Sequence, residues 1–363
     1  MLILGLMSGT SLDGLDLALC DISQHRYRVL AAATYAYPEM WRRRLANLEG
    51  GSALDLARTH SDLGHYFGQC VCRFLQEKPR PQYIASHGHT IFHQPVKPMA
   101  TEDGIPSYGF TTQIGDINAI AAETGIATIG DFRTLDVALG GQGAPLVPIG
   151  DELFFADYDA CLNLGGFANI SYRKSEGGGR KTRIAYDICP CNMALNGLAA
   201  MLGLDYDEGG EVARGGCLDA DLLARLDAIG YYRQPAPKSL GKEWFLTDFR
   251  PVLDSSALSV ADKLRTVTDH IARQVAAACG QAAMMLVTGG GAFNTFLIEQ
   301  IRHYAPHTRV TVPDPLIVSY KEALIFALLG YLRVEGSENS LSSVTGARCD
   351  SIGGCISGSF KVL

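Results

Sequence analysis

Several stretches of this 363-residue chain hold side chains whose types and spacing could do chemistry. The first is Leu2 to Asp16, LILGLMSGTSLDGLD. An apolar run of Leu2, Ile3, Leu4 and Leu6 meets a turn of small residues. Leu15, Leu17 and Leu19 then alternate with Asp16 and Ala18, which reads as strand, tight turn, strand. Main-chain N–H groups that small side chains leave uncovered can wrap an anion, and the hydroxyls of Ser8, Thr10 and Ser11 would add donors. Asp13 and Asp16 repel phosphate, so they fit such a site only with a divalent cation, or its bound waters, between. The alternative is a plain surface hairpin with an acidic turn.

A second candidate is Asp187, at the end of the apolar strand Ile184 to Ile188 and just before the helix Met193 to Leu202. A carboxylate delivered there can act as a general base, or it can cap the helix. Cys189 and Cys191, which follow it, read as small turn residues, since no second Cys/His pair completes a metal site. His87, His89 and His93 admit a zinc reading, because H-x-H on a strand puts both rings on one face. No clear carboxylate or thiol ligand is placed nearby, and a polar turn aimed at a substrate is preferred. Arg133, in Gly130-Asp-Phe-Arg133, could hold an acidic or hydroxylated ligand in its fork, or pair with Asp131 or Asp136. Thr288 to Asn294, TGGGAFN, opens a helix after a strand, the geometry of a phosphate site or of close packing. Lys238 and Lys242, in a basic loop from Pro235 to Phe245, could reach phosphate or stay solvated. Glu322, after Lys321, sits where a helix N-terminus stabilises an acid.

The elements that position these groups follow from the hydrophobic pattern. Strands are expected from Tyr27 to Tyr37, Tyr83 to His93, Ile126 to Ile129, Met284 to Val287 and Thr308 to Val312. Helices are expected from Glu39 to Leu48, Ala53 to Glu77, Asn118 to Thr124, Leu258 to Cys279, Thr295 to Tyr304 and Lys321 to Gly330. Ala160 to Tyr172 repeats the opening theme of strand, glycine turn, strand, with Gly165 and Gly166 in its turn. Ser175 to Lys181 reads as a glycine-rich loop, Asp205 to Gly216 as an irregular one. The Gly/Pro-dense Gly140 to Pro148 suggests a crossing between lobes.

Composition bounds the rest. With 47% hydrophobic and 19% charged residues the chain is of ordinary globular type and too long for one compact core. A net charge of −7 without blocks of like sign disfavours a nucleic-acid partner. No run approaches the ~18 apolar residues of a membrane span, and the start lacks the basic region of a signal peptide. Ten cysteines without a C-x-x-C pair suit reduced thiols in a cytoplasm.

Eight segments together resemble the anhydro-N-acetylmuramic acid kinases, within the acetate and sugar kinase, Hsp70 and actin superfamily. They are GLMSGTSLDGLD from Gly5, SHGHT from Ser86, QIGD from Gln113, GDFRTLDVALGGQGAPLVP from Gly130, NLGGFANI from Asn163, TGGGAFN from Thr288, KEALIFALLG from Lys321 and VTGA from Val344. The resemblance implies an α/β chain with two actin-like (ribonuclease H-like) lobes around a nucleotide cleft, one formed by residues 1–128 and 335–363 and the other by 129–334. It implies ATP with Mg²⁺ and an amino-sugar substrate, and it allows a homodimer. The implied reaction opens 1,6-anhydro-N-acetylmuramic acid with water and phosphorylates O6, a step of cell-wall recycling.

Residue by residue, the resemblance makes Asp187 the general base. It puts Gly9, Thr10, Ser11, Leu12, Asp13, Gly14, Leu15, Asp16, Gly165, Gly166, Gly289, Gly290, Gly291 and Asn294 at the nucleotide, with Asp13 toward Mg²⁺ through water. His87, Arg133, Asp136, Asn192 and Glu322 fall near the sugar. Two departures stand out: Asp187-Ile-Cys-Pro-Cys-Asn192 replaces the family's D-T-G-P-G-N, and His89 replaces the usual Gln. Other readings are a different sugar or carboxylate kinase on this fold, or a non-catalytic nucleotide or sugar sensor.

Overall fold

Residues 1–24, 26–95, 99–100, 106–175, 181–236 and 238–358 are described by a computed structural model. The glycine-rich stretch expected from Ser175 to Lys181 falls largely outside the described residues. The chain forms two compact units, Met1–Phe154 with Tyr320–Leu363, and Phe155–Ser319. The sequence reading divided it at 128/129 and 334/335. Residues 129–154 stay with the first unit because Thr128–Gly130 is a strand of that unit's sheet, held on one side by Tyr83–Gln94 and on the other by Cys355–Ser357.

In the first unit β1 (Leu2–Ser8), β2 (Gly14–Ser23) and β3 (Arg26–Ala36) form an antiparallel meander. β4 (Tyr83–Gln94) runs parallel to β1. β5 (Met99–Ala100) and β6 (Pro106–Ser107) form a short ladder of their own, and β7 (Phe110–Ile114) pairs with the far end of β4. β8 (Thr128–Gly130) lies parallel to β4. The helix Ala53–Phe74 covers one face, started by a capping box of Ser52 and Asp55. Its Leu63, Phe67, Val71 and Phe74 pack on Leu4, Leu6, Leu15, Leu17 and Ile84 of the sheet. Leu54, in the first turn of that helix, is exposed.

The second unit repeats the pattern. β9 (Ala160–Leu164), β10 (Phe167–Ser175) and β11 (Lys181–Pro190) form an antiparallel meander, β12 (Met284–Thr288) runs parallel to β9, and β13 (Arg309–Thr311) runs parallel to β12. The second sheet therefore runs third, second, first, fourth, fifth, and the first runs β3-β2-β1-β4-β8, the same order once β5, β6 and β7 are set aside; β14 (Cys355–Ser357) adds an antiparallel edge to the first. Two α/β units of this one topology are the architecture that the resemblance implied. The helix Val260–Cys279 buries Leu264, Val267, Ile271 and Val275, one face at helical spacing, in the second core.

Two expectations change. Asp205 to Gly216 is not all loop: the Asp207 carboxylate accepts the N–H groups of Val212 and Ala213, both at 2.9 Å, and so starts the helix Glu211–Gly215. The last long helix begins at Pro315 rather than Lys321 and breaks at Tyr320 (φ −118°, ψ 15°), where the first unit resumes. Among the described residues this helix alone, Pro315–Val334, is long and apolar enough to cross a membrane, and 61% of its most apolar window is buried inside the protein.

Candidate active site

In the first unit the β1–β2 connection, residues 9–13, closes with Leu12 N–H donating to the Gly9 carbonyl at 3.3 Å. Leu12 holds φ +61°, left-handed backbone that costs a branched side chain about 1 kcal/mol. Thr10, Ser11 and Asp13 are exposed. Ser8 is not available to a ligand: it is buried, and its hydroxyl lies 2.6 Å from Tyr37 Oη and 2.9 Å from His89 Nδ1. Leu15 points into the core. Asp16 accepts from the Thr34 hydroxyl at 2.6 Å; burial raises its carboxyl, and neighbouring Asp13 adds to that. Two carboxylates, Asp13 in the turn and Asp16 at the start of β2, beside main-chain donors are a donor set that fits Mg²⁺ near phosphate.

β4 carries a bulge where it meets β1, since Leu6 pairs with Ser86 and Ser8 with His89. Gly88 takes φ +75° there, and a Cβ on it would stand 2.7 Å from the Ile114 carbonyl oxygen. The bulge holds His87 against Phe326, ring centroids 4.7 Å apart, and under Arg133. Arg133 Nε and Nη2 lie 3.1 and 3.0 Å from His87 Nε2, and Nη1 donates to the Gly143 carbonyl at 2.6 Å. Nε2 must accept, so the imidazole is neutral with its proton on Nδ1. Burial, and then the Arg133 charge, push the His87 pKa well below its usual value. Burial also pulls Arg133 down to about 10, against the opposing charges of Glu322 and Asp136. Glu322 keeps solvent access, yet the protein packed around it raises its carboxyl; Arg133 counters this and Asp16 adds to it. Lys321 turns away into a buried pair with Asp151 at 2.6 Å.

Asp136, placed near the sugar by the sequence reading, is buried, and its carboxylate accepts Gly143 N–H at 2.7 Å and the hydroxyls of Ser340 and Thr345, both at 2.8 Å. It anchors the turn whose Gly143 carbonyl holds Arg133, and so acts on a ligand at one remove. His87, His89 and His93 do not converge: His93 Nδ1 pairs with Thr111 Oγ1 at 3.0 Å, and among the described residues no group of three His, Cys, Asp or Glu could hold a metal ion.

In the second unit β11 also bulges. Ala168 pairs with Cys189 but Asn169 with Asp187, leaving Ile188 as the extra residue. Asp187, half-buried beside that bulge, takes Leu240 N–H on Oδ2 at 2.9 Å. Burial raises its carboxyl, and the Leu240 N–H pulls the other way. It is a strand residue and caps no helix. Cys189 and Cys191 are fully buried in the core with negative φ (−124° at Cys191), so the departure from two glycines demands no left-handed backbone. Burial raises both thiols.

The Gly165 and Gly166 carbonyls accept the N–H groups of Asn192, Cys191 and Met193, which ties the β9–β10 turn to the start of helix Asn192–Ala200. Asn192 Nδ2 donates to the Leu164 carbonyl at 3.0 Å. The Thr288-to-Asn294 turn packs on the same spot. Gly289 has φ +83°, and a Cβ on it would lie 2.5 Å from Asn163 Oδ1. Gly290 and Gly291 each bring a would-be Cβ within 4 Å of the Asn192 amide. Asn294 caps the helix Thr295–Tyr304, accepting Leu297 N–H at 2.9 Å, so its side chain is committed. The partners of Asp187, namely Tyr231, Lys238 and Leu240, were not found as a set by sequence reasoning; Lys238 was noticed only for its charge.

The family model described as anhydro-N-acetylmuramic acid kinase matches residues 1–358. A protein of Gloeobacter violaceus named anhydro-N-acetylmuramic acid kinase is 38% identical over 370 residues, covering 95% of this chain and 96% of its own length. One of the same name from Vibrio cholerae is 38% identical over 367 residues, covering 95% of each. Among solved structures, a ROK family glucokinase from Streptomyces griseus in complex with glucose and AMPPNP aligns with a TM-score of 0.40 and 12% identity, over 90% of this chain and 98% of that one.

Proposed function

We propose, because this chain belongs to the anhydro-N-acetylmuramic acid kinase family, that it opens the 1,6-anhydro ring of 1,6-anhydro-N-acetylmuramic acid with water and transfers the γ-phosphoryl group of ATP to O6. The products are N-acetylmuramic acid 6-phosphate and ADP. The observation that carries the mechanism is Asp187, a half-buried carboxylate whose affinity for a proton is raised. Asp187 takes a proton from water as that water attacks C1. The C1–O6 bond breaks, and its electron pair stays on O6, which attacks the γ-phosphorus in line with the departing ADP.

Arg133, whose guanidinium donates to neutral His87, and Glu322 bind the sugar's polar groups; Asn192 holds the glycine turns of the second unit. The Gly9-to-Asp13 turn, Gly165, Gly166, Gly290 and Gly291 offer main-chain donors to the phosphates, while Gly289, whose N–H goes to the Val318 carbonyl at 3.3 Å, shapes its turn. Asp13, through water, and Asp16 would hold Mg²⁺, which neutralises phosphate charge when bound. Ten free thiols and the use of ATP support a cytoplasmic enzyme. A homodimer is its proposed assembly, which light scattering tests.

The test is ADP release with Mg-ATP and the anhydro sugar, with N-acetylmuramic acid and N-acetylglucosamine as controls. Release with the anhydro sugar alone, abolished in Asp187→Asn, is expected. Phosphorylation of the control sugars instead would move the chain to another sugar kinase activity.

A further inference from the structure

The basic loop after Pro235 reads in the sequence as a candidate phosphate contact. In the structure it closes around the strand end that carries Asp187. Four hydrogen bonds form the closure. Asp187 N–H donates to the Lys238 carbonyl at 3.1 Å, and Leu240 N–H donates to Asp187 Oδ2 at 2.9 Å. Tyr231 Oη donates to the Asp187 carbonyl at 2.5 Å, and Lys238 Nζ donates to the Tyr231 carbonyl at 3.1 Å. The Lys238 ammonium also sits over the rings of Tyr231 and Tyr186, 4.5 and 5.7 Å from their centroids. Tyr231 is 5% exposed and packs on Trp244, centroids 5.3 Å apart. The Lys238 carbonyl and the Leu240 N–H thus engage Asp187 itself, and Lys238 Nζ engages Tyr231, which holds it.

The consequence for Asp187 is directional. One carboxylate oxygen, Oδ2, is pinned by a main-chain N–H, while Oδ1 accepts no hydrogen bond among the described residues. A general base needs one lone pair aimed at its water and a fixed rotamer behind it. β11 cannot supply this alone, because the bulge at Ile188 loosens the ladder beside Asp187.

We propose that Tyr231, Lys238 and the Leu240 main chain form a positioning strap that fixes Asp187 through Oδ2 and leaves Oδ1 for the attacking water. The inference rests on Asp187 being the base. Lys238 is then a structural cation and not a nucleotide ligand. The strap also tunes ionisation, since a donor on the carboxylate favours its charged form. The other titratable groups facing Asp187 are Tyr231 and Cys189, both pushed up by burial, and the Lys238 ammonium, pulled down by it. The phenol and thiol stay neutral on the acid side, so the acid limb of the rate profile reports Asp187.

The experiment compares Tyr231→Phe, Lys238→Met, Leu240→Pro and Asp187→Asn in the full chain, by kcat, KM for ATP and the pH dependence of kcat. Tyr231→Phe and Lys238→Met should each lower kcat by about tenfold with KM for ATP unchanged. Leu240→Pro should move the acid limb to higher pH. Tyr231→Phe is the decisive variant, since it removes one oxygen and keeps the ring. Wild-type kcat and pH profile in Tyr231→Phe and Lys238→Met, with Asp187→Asn inactive, overturns the strap and leaves the base intact. A raised KM for ATP with unchanged kcat in Lys238→Met overturns it too, by making Lys238 a phosphate ligand. Activity retained in Asp187→Asn removes the base itself, and the strap with it.

Discussion

The two units share a strand order but treat charge differently. In Met1–Phe154 with Tyr320–Leu363, Arg133 is pressed on a neutral His87, Glu322 is raised by its surroundings, and Lys321 and Asp151 pair out of solvent. In Phe155–Ser319 the same end of the fold carries glycine turns and one raised carboxylate, Asp187, held by main-chain donors. Buried charges are costly unless paired, and they fix a ligand by shape and sign. Glycine turns cost little there and offer only N–H groups, which suit phosphate. Under the proposed function this difference becomes a division of labour: Arg133, His87 and Glu322 of the first unit would read the sugar, the glycine turns of the second would offer backbone to the nucleotide as the Gly9 turn does, and Asp187 would take the proton.

The largest expected effect tests Asp187. Asp187→Asn should lower kcat by about 10³-fold. The fold should not suffer. A carboxyl raised in the folded state makes folding less favourable as pH rises through the unfolded value toward the folded one, and that loss persists at neutral pH. The amide has no such charge and its oxygen still accepts Leu240 N–H, so the Tm at neutral pH should hold or rise. In the wild type, activity should fall as pH drops through the raised pKa, above the ordinary aspartate range. An acid limb at ordinary aspartate values would break the comparison at its centre.

Next comes the contrast between side chain and backbone. Arg133→Met should cut kcat/KM for the sugar by about 10²-fold, as a buried charge-assisted contact is lost, and leave KM for ATP nearly unchanged. Gly289→Ala should do the reverse. Its φ of +83° and a Cβ 2.5 Å from Asn163 Oδ1 should cost about 1–3 kcal/mol in Tm-monitored stability. It should raise KM for ATP severalfold and spare KM for the sugar. If both variants damaged both substrates equally, the division would not exist.

What the sequence made legible was local. The β1–β2 hairpin, the second hairpin at Gly165, the carboxylate at the end of β11 and the turn at Gly289 each follow from a short run of residue types. What it hid was long-range commitment. Ser8 looked like a donor for phosphate, but His89, 81 residues on, takes its hydroxyl. Asp136 looked like a ligand, but Ser340 and Thr345, 204 and 209 residues on, occupy its carboxylate. Leu240 is an apolar letter whose contribution to Asp187, 53 residues away, is a main-chain N–H that no side-chain pattern encodes. Bulges at Gly88 and Ile188 are likewise invisible to a period-two pattern, since they arise from the register between strands.

The smallest expected effect concerns the two hairpin turns. The first unit uses a five-residue turn with Leu12 in left-handed backbone, its side chain packed on the first core. The second uses Gly165, whose would-be Cβ stands 3.2 Å from Asn163 Nδ2, and Gly166, whose would-be Cβ meets nothing nearer than Met193 Cε at 3.9 Å. Leu12→Gly relieves about 1 kcal/mol of backbone strain, but it loses a similar amount of apolar contact and adds freedom to the unfolded chain. The net loss should be about 1 kcal/mol, a shift of a few degrees in Tm. KM for ATP should rise about threefold, because the turn would no longer be held open to phosphate before binding. Leu12→Ala separates the causes: it keeps the left-handed backbone and loses the contact without loosening the unfolded chain, so it should cost a similar ~1 kcal/mol and leave KM for ATP unchanged. An unchanged KM for ATP in both variants would mean that Leu12 does not set the first turn's affinity for phosphate, and that the units differ in their buried charges alone.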